Sequence, residues 1–333
     1  MEFTYCKLID VLSDIHSGGT PSTEESSYWG GNIKWLSSGE TSQRFISDTV
    51  DKITEEGVKN SSTKLAKKNN IVMACAGQGK TRGQTSYLLD DMYINQSVIA
   101  LETKTSVLPL YLFYDLSSRY EELRGGSDAS STRGSITTTA LKNLPFKYPD
   151  LSTQQSIVDI LFGYDSLIEA NNRRIELLEQ AAQELYREWF VRFRFPGYED
   201  VKFENSLPEG WERNKIQKYY NTCSGGTPSR SKPEYFENGV YPWVKTGEIK
   251  DCVIIDTEEY ITQEAVNNSS AKVLPAKSVA MAMYGVNIGL LAYFDSEMTC
   301  NQACCVFSDK RDFSSKHYLY YYLKSVREYL LLI

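Results

Sequence analysis

At 333 residues and 41% hydrophobic content, the chain is long enough to bury two cores, which excludes a disordered or fibrous protein. Its apolar runs fall far short of the roughly 20 residues of a membrane span, and no basic-then-apolar leader opens it, so a cytoplasmic protein without membrane contact is expected. The formal charge of −7 weighs against phosphate-driven nucleic-acid affinity unless a groove is locally basic or a partner supplies those contacts, and seven scattered cysteines fit free thiols in a reducing compartment.

The first predicted element is a turn, Ser17-Gly18-Gly19-Thr20-Pro21-Ser22, and it returns as Ser224-Gly225-Gly226-Thr227-Pro228-Ser229. Behind it Tyr28-Trp29 corresponds to Tyr235-Phe236, Trp35 to Trp243, Gly39-Glu40 to Gly247-Glu248, and Asn60-Ser61-Ser62 to Asn268-Ser269-Ser270. Met73 then corresponds to Met281, Gly77 to Gly285, and Asn95-Gln96 to Asn301-Gln302. Collinear matches that drift by only a residue or two mean that one fold is present twice. Residues 71–76 and 97–101 read as strands bounded by turn-forming clusters, and the tyrosine-rich segments 109–123 and 316–330 read as helices.

Between the copies, residues 151–195 contain no proline and are rich in Leu, Glu, Gln, Ala and Arg. They predict one helix, roughly 60 Å long if it holds about 40 residues. Ile157, Leu161, Tyr164, Ile168, Asn171, Ile175, Leu178, Ala182, Leu185 and Trp189 alternate steps of four and three, the spacing of a seam that packs on another helix. Asn171 within it is either an accident of a loose interface or a buried amide that fixes register. The organisation expected is a first domain at 1–150, the spacer helix at 151–195, a linker at 196–210 begun by Pro196-Gly197, and a second domain at 211–333 opened by Trp211. The fold class is α+β: two similar strand-rich domains joined by a long coiled-coil helix.

Two apparent chemical motifs read better as scaffold or loop. Ala74-Cys75-Ala76-Gly77-Gln78-Gly79-Lys80-Thr81 resembles a phosphate-binding loop, which would make the chain a nucleotide hydrolase. The second copy has Ala282-Met283-Tyr284-Gly285-Val286-Asn287-Ile288 there, and Gly83 is a poor residue for the helix that must follow. Cys300, Cys304 and Cys305 suggest metal ligands, but they align with Ile94, Val98 and Ile99 and therefore read as core; there are only two histidines, His16 and His317. No metal, no cofactor and no catalytic residue is expected, since no Asn/Asp-Pro-Pro-aromatic tetrad or catalytic triad is found. Tyr111, Tyr114, Tyr318, Tyr320, Tyr321 and Tyr322 are assigned to core or interface.

Three stretches resemble the specificity subunits of type I restriction-modification systems. They are the repeated Ser-Gly-Gly-Thr-Pro-Ser turn with its Trp and Gly-Glu, the helix start Leu151-Ser152-Thr153-Gln154-Gln155, and the run Glu184-Leu185-Tyr186-Arg187-Glu188-Trp189-Phe190-Val191-Arg192-Phe193. The resemblance covers nearly the whole chain. It implies a non-enzymatic subunit whose domains each read one half of a split target in double-stranded DNA. It further implies that the helix, with Ile157, Leu161, Ile168, Asn171, Ile175, Leu178, Leu185 and Trp189 at its interface, docks methyltransferase subunits, with a restriction subunit as a further partner. The family pattern has a second, antiparallel long helix that this sequence lacks, so either another chain or second copy completes the seam or the sequence is a shortened version of a longer protein.

Base reading needs hydrogen-bonding side chains on loops. The candidates in the first copy are Gln78, Lys80, Thr81 and Arg82 after a strand, and Arg124, Ser127, Ser130, Ser131, Thr132 and Arg133 in a glycine- and serine-rich segment. In the second copy they are Tyr284 and Asn287, with Lys245 and Thr246 beside them. The competing expectation is a scaffold with two ligand-binding domains on a coiled-coil spacer, which failure to bind any duplex would favour; ATP binding would instead favour the hydrolase.

Overall fold

The computed structural model describes residues 2–77, 79–128, 134–310 and 316–332. The chain divides into two compact units, Met1–Asn172 and Arg173–Ile333.

In the first unit a five-stranded sheet runs in the order Leu12–Ser17, Val98–Thr103, Ile71–Ala74, Thr85–Leu88, Phe45–Ile46. All its neighbours are antiparallel except the last pair. Successive side chains of a strand face opposite ways, and both faces here are apolar. Ile71, Met73, Ile99 and Leu101 enter one core together with Leu112, Phe113 and Leu116 of the helix Pro109–Ser118. Val72, Val98 and Ala100 enter the other with Leu36, Ile46 and Ile94. Several residues of that second core come from a four-stranded sheet, Asp51–Ile53, Trp29–Leu36, Met92–Ile94, Lys64–Ala66, whose two middle strands are parallel. The N-terminal strand Thr4–Lys7 pairs with Pro145–Tyr148, just before the long helix.

The second unit repeats this plan. Its five-stranded sheet runs Tyr220–Ser224, Cys304–Asp309, Val279–Ala282, Leu291–Phe294, Cys252–Ile254, again with a parallel last pair. Tyr260–Ile261, Tyr241–Val244 and Thr299–Cys300 form the second sheet, with the parallel pairing in the same place. A single bridge, Leu274 to Met298, stands where the first unit has a fourth strand. The fold is therefore α+β, with one strand-rich plan present twice, as the repeat implied.

The helical segments differ from expectation in their ends. The segment expected at 109–123 is two helices, Pro109–Ser118 and Tyr120–Asp128, broken at Arg119, whose guanidinium donates to the Pro145 carbonyl (2.8 Å). The second of these runs on to Asp128, so Arg124 lies on a helix and not in a loop. The segment at 316–330 is likewise split into Lys316–Ser325 and Arg327–Leu330.

The long helix spans Leu151–Tyr186, 36 residues, followed by one wide turn at Arg187–Val191, and so stops short of Phe195. Phe193 and Gly197 both adopt left-handed backbone, which a continuing helix cannot accommodate. Tyr186 is buried against Phe190 (centroids 5.3 Å apart) and Tyr318 (5.7 Å). Trp211 is packed by Phe190, Phe193 and Phe195 at 5.8, 5.6 and 5.4 Å. The run from Glu184 to Phe193 thus ends the helix in an aromatic plug, which also takes up Tyr318. Burial pushes the hydroxyls of Tyr186 and Tyr318 above the ordinary tyrosine range.

At the other end Asp150 accepts from the Thr153 amide (3.0 Å) and hydroxyl (2.8 Å), which holds its carboxyl below the usual range. Gln154 is fully buried: its Oε1 accepts from the Leu108 amide (2.9 Å), and its Nε2 donates to the carbonyls of Ser106 (3.1 Å) and Pro149 (2.9 Å). Gln154→Leu keeps the volume and strands three polar groups, each costing about 1 kcal/mol or more. A drop of roughly 6 to 12 °C in the melting of this unit is expected; calorimetry showing no drop would mean that the amide is not a tie.

Between its two ends the helix lies open. Leu161, Ile168, Asn171, Ile175, Leu178 and Leu185 are exposed, with Ile168 and Ile175 at 57% and 55%. The outermost seam positions are used differently: Ile157 packs partly against the first core, and Trp189 is half-buried beside Phe190. Among the described residues no helix is long and apolar enough to cross a membrane.

Candidate functional site

The glycine, tryptophan, glutamate and asparagine that recur in both copies make their polar contacts with backbone, while Thr20 and Thr227 donate to the side chains of Gln96 and Gln302. A Cβ on Gly18 would sit 1.8 Å from the Ile94 carbonyl oxygen, and one on Gly225 would sit 1.9 Å from that of Cys300. Only glycine permits this approach. The next amides donate to the same carbonyls, Gly19 at 3.1 Å and Gly226 at 2.9 Å. The indole of Trp35 donates to the Gly19 carbonyl (3.2 Å), as Trp243 does to Gly226 (3.0 Å). Glu40 accepts from the amides of Ser37 (3.2 Å) and Val50 (2.8 Å), and Glu248 from those of Lys245 (2.7 Å) and Glu258 (2.9 Å). Asn95 and Asn301 each accept from the amide two residues on, at 3.0 and 3.1 Å. The shared motif is a frame, and the positions where the copies differ lie outside it.

The largest such difference is the loop after the third strand of each five-stranded sheet. Its ends are held alike. Cys75 donates to the Ser97 carbonyl and Met283 to the Ala303 carbonyl, both at 2.8 Å. Gly83 donates back to Ala74 (2.9 Å) and Gly289 to Ala282 (2.8 Å), both glycines having positive φ. Between these ends lie eight residues, 75–82, in the first copy and six, 283–288, in the second.

In the first loop the Lys80 side chain is exposed, and its carbonyl accepts from the Tyr120 hydroxyl (2.9 Å). That hydroxyl also accepts from Arg124 (2.8 Å), so the helix brings Arg124 to Lys80. Thr81 is half-buried. Arg82 is buried, and its Nη1 donates to the Gly134 carbonyl (2.7 Å), which makes it a strut between two loops. Gln78, Ser130, Ser131, Thr132 and Arg133 lie outside the described residues. Lys80, Gln84, Tyr120, Thr41 and Arg44 line an open groove of about 280 Å³. Arg44 escaped the sequence reading, having no counterpart motif in the second copy. It pairs with Asp165 of the long helix through two bonds (3.1 and 3.0 Å) and lies over the Phe113 ring. Tyr114 donates to the same carboxylate (2.8 Å), and burial with that bond raises its hydroxyl well above the usual range.

In the second copy Lys245 is engaged by Glu258 (2.9 Å) and Glu259 (3.0 Å), which hold its ammonium above the ordinary lysine range. Its charge is thus already matched within the chain. Asn287 donates to the carbonyls of Thr246 (2.9 Å) and Ile249 (3.1 Å), pinning the loop to its neighbour. Tyr284 is half-exposed, and Met283, Val286 and Ile288 also face water.

The phosphate-loop resemblance fails on context. Among the described residues a turn and then the strand Thr85–Leu88 follow Lys80-Thr81, so the helix that such a loop must open into does not begin there. Cys300 and Cys304 are fully buried in the second core beside Val244 and Met298, and their mutual hydrogen bond and burial raise the Cys300 thiol far above its usual range. Among the described residues no cluster of His, Cys, Asp and Glu is arranged to hold a metal ion.

A family profile described as the type I restriction modification DNA specificity domain matches residues 2–180 and 208–331. The specificity subunit of type I restriction enzyme MjaIX from Methanocaldococcus jannaschii is 28% identical over 294 residues, 85% of this chain and 66% of that protein. The EcoR124I/EcoR124II specificity subunit from Escherichia coli is 30% identical over 202 residues, 59% of this chain and 49% of that one. The chain thus spans from 49% to 66% of the length of these relatives. The crystal structure of a type I restriction-modification S subunit from M. genitalium matches over 100% of this chain and 79% of its own, with a TM-score of 0.60 at 14% identity, a likeness of fold.

Proposed function

The chain belongs to the family of type I restriction-modification DNA specificity domains, and from that premise we propose that it reads a bipartite target in double-stranded DNA, one half with each strand-rich unit. The observation that carries this reading is one hydrogen-bonded frame present twice, with loops of different length and chemistry held at the same ends. Two copies of one reader would need no such difference, whereas readers of two different half-sites would. In the first unit the reading surface is the groove that Lys80 borders, with Arg124 held to its Tyr120, Thr81 and Arg82 following Lys80 in the loop, and Gln78, Ser131, Thr132 and Arg133 the remaining candidates. In the second unit it is the loop with Tyr284, whose base Asn287 ties to Thr246, with Lys245 as its neighbour.

The chain performs no chemistry in this reading. Methylation and cleavage belong to methyltransferase and restriction subunits, and the exposed face of the long helix is the surface on which partner helices pack. With a net charge of −7 on the chain, those partners supply much of the contact to phosphate.

Methylation mapping of cells carrying the chain and its methyltransferase subunits tests the reading. Exchanging residues 1–150 for the corresponding part of a relative should change one half of the methylated target and leave the other. A change in both halves, or in neither, would overturn the modular reading.

A further inference from the structure

Val286 is fully exposed at 101% of its reference area, on a loop that is anything but slack. The Ile288 amide closes a turn on Gly285 (3.2 Å), Gly285 takes a φ of +89°, and Asn287 is tied by its side chain to the carbonyls of Thr246 and Ile249. The fold gains nothing from a valine held in water, because it touches neither core. Counting back from the shared loop end identifies its counterpart. Gln84 donates to the Thr81 carbonyl (3.0 Å) and Leu290 to the Asn287 carbonyl (2.9 Å), so Asn287 stands where Thr81 does and Val286 stands where Lys80 does. One repeat therefore presents a flexible ammonium at this place, and the other presents a stiff, branched hydrocarbon flanked by exposed Tyr284 and Ile288.

The major groove offers a ligand for each. Guanine shows two acceptors that suit a lysine, whereas thymine shows a C5 methyl that suits an apolar side chain and repels none. We propose that Val286 is a specificity-determining residue of the second repeat, which recognises a thymine in its half-site by packing on the C5 methyl. Rigidity of the loop and of the β-branched side chain means that little freedom is lost on contact. This inference rests on the reading of the chain as a DNA specificity subunit.

The test uses the chain assembled with its methyltransferase subunits, and the target found by methylation mapping. Each thymine of the second half-site is replaced in turn by deoxyuridine, which pairs alike and lacks the methyl. One replacement should weaken binding about four-fold, the effect of losing one buried methyl-sized group. Val286→Ser should weaken binding to the unmodified target by a similar factor, abolish the sensitivity to that deoxyuridine, and leave discrimination in the first half-site unchanged. A second half-site without thymine, indifference to every deoxyuridine, or a sensitivity that persists in Val286→Ser would each overturn the assignment of Val286 alone. An assembly that methylates no bipartite target would overturn the specificity reading itself.

Discussion

A chain carrying Ile168→Asp together with Ile175→Asp is expected to lose association through its long helix while both strand-rich units stay folded. The two isoleucines are more than half exposed, and neither belongs to a core. Leu161, Leu178 and Leu185 continue the same stripe. Each such side chain contributes about 1.5–3 kcal/mol when an opposing surface covers it fully. The unaltered chain should therefore sediment as a self-associated species, or as a complex with the methyltransferase subunits proposed as its partners, and not persist as a lone monomer. Burying two unpaired carboxylates in that contact costs several kcal/mol more than the lost apolar area. Sedimentation of both versions, alone and with the partner subunits, checks this. A stable monomer from the unaltered chain, together with normal assembly of the doubly charged one, would show that the helix is not the assembly element.

Gly18→Ala should unfold the first unit and Gly225→Ala the second. The added Cβ would lie under 2 Å from a backbone carbonyl oxygen in both cases, and a backbone atom cannot swing aside as a side chain does. To make room, Ile94 would have to move, breaking the Gly19 amide bond and the parallel pairing of Leu36 with Ile94. Overpacking of this kind costs about 1–3 kcal/mol where side chains can adjust, and more where only backbone can yield. Hydrogen exchange resolved along the chain is the readout: loss of protection should be confined to the unit that carries the alanine. Unchanged protection in either variant would mean that the close approach is not what these glycines secure.

The repeat was legible because its motif residues are fixed by backbone contacts that no other side chain makes, glycine at the close approach and tryptophan reaching the Gly19 or Gly226 carbonyl. From one repeated motif the duplicated plan follows. What the sequence hid is non-local. The pairing of Thr4–Lys7 with Pro145–Tyr148, and the parallel last strand in each larger sheet, join segments far apart in the chain, and periodicity carries no register between them. The long helix was read past its end because Arg187 to Phe195 keeps helical composition, and its stop is set by aromatic packing around Trp211. Residue type identified the loops but not the direction of each side chain. Arg82 and Lys245 have the chemistry of readers, yet one is buried on a carbonyl and the other lies between two glutamates. Val286 gives no signal in the sequence, because a lone valine in a turn suggests no chemistry until its place is matched to Lys80.

The shared loop ends also bear on how such a protein can change over generations. The bonds that hold the glycine turn, the tryptophan and the glutamate begin and end outside residues 75–82 and 283–288, so substitutions at exposed tip positions such as Lys80 and Val286, unlike those at Arg82 and Asn287, leave the stability margin almost untouched. Point changes there can drift freely until one confers a new target. Because both loops are moored by the same carbonyls and glycines, a stretch of coding sequence copied from one half of the gene into the other would graft without remodelling its surroundings. If each unit reads one half-site, as proposed above, gene conversion within a single locus would turn an asymmetric recognition sequence toward a palindromic one in one step.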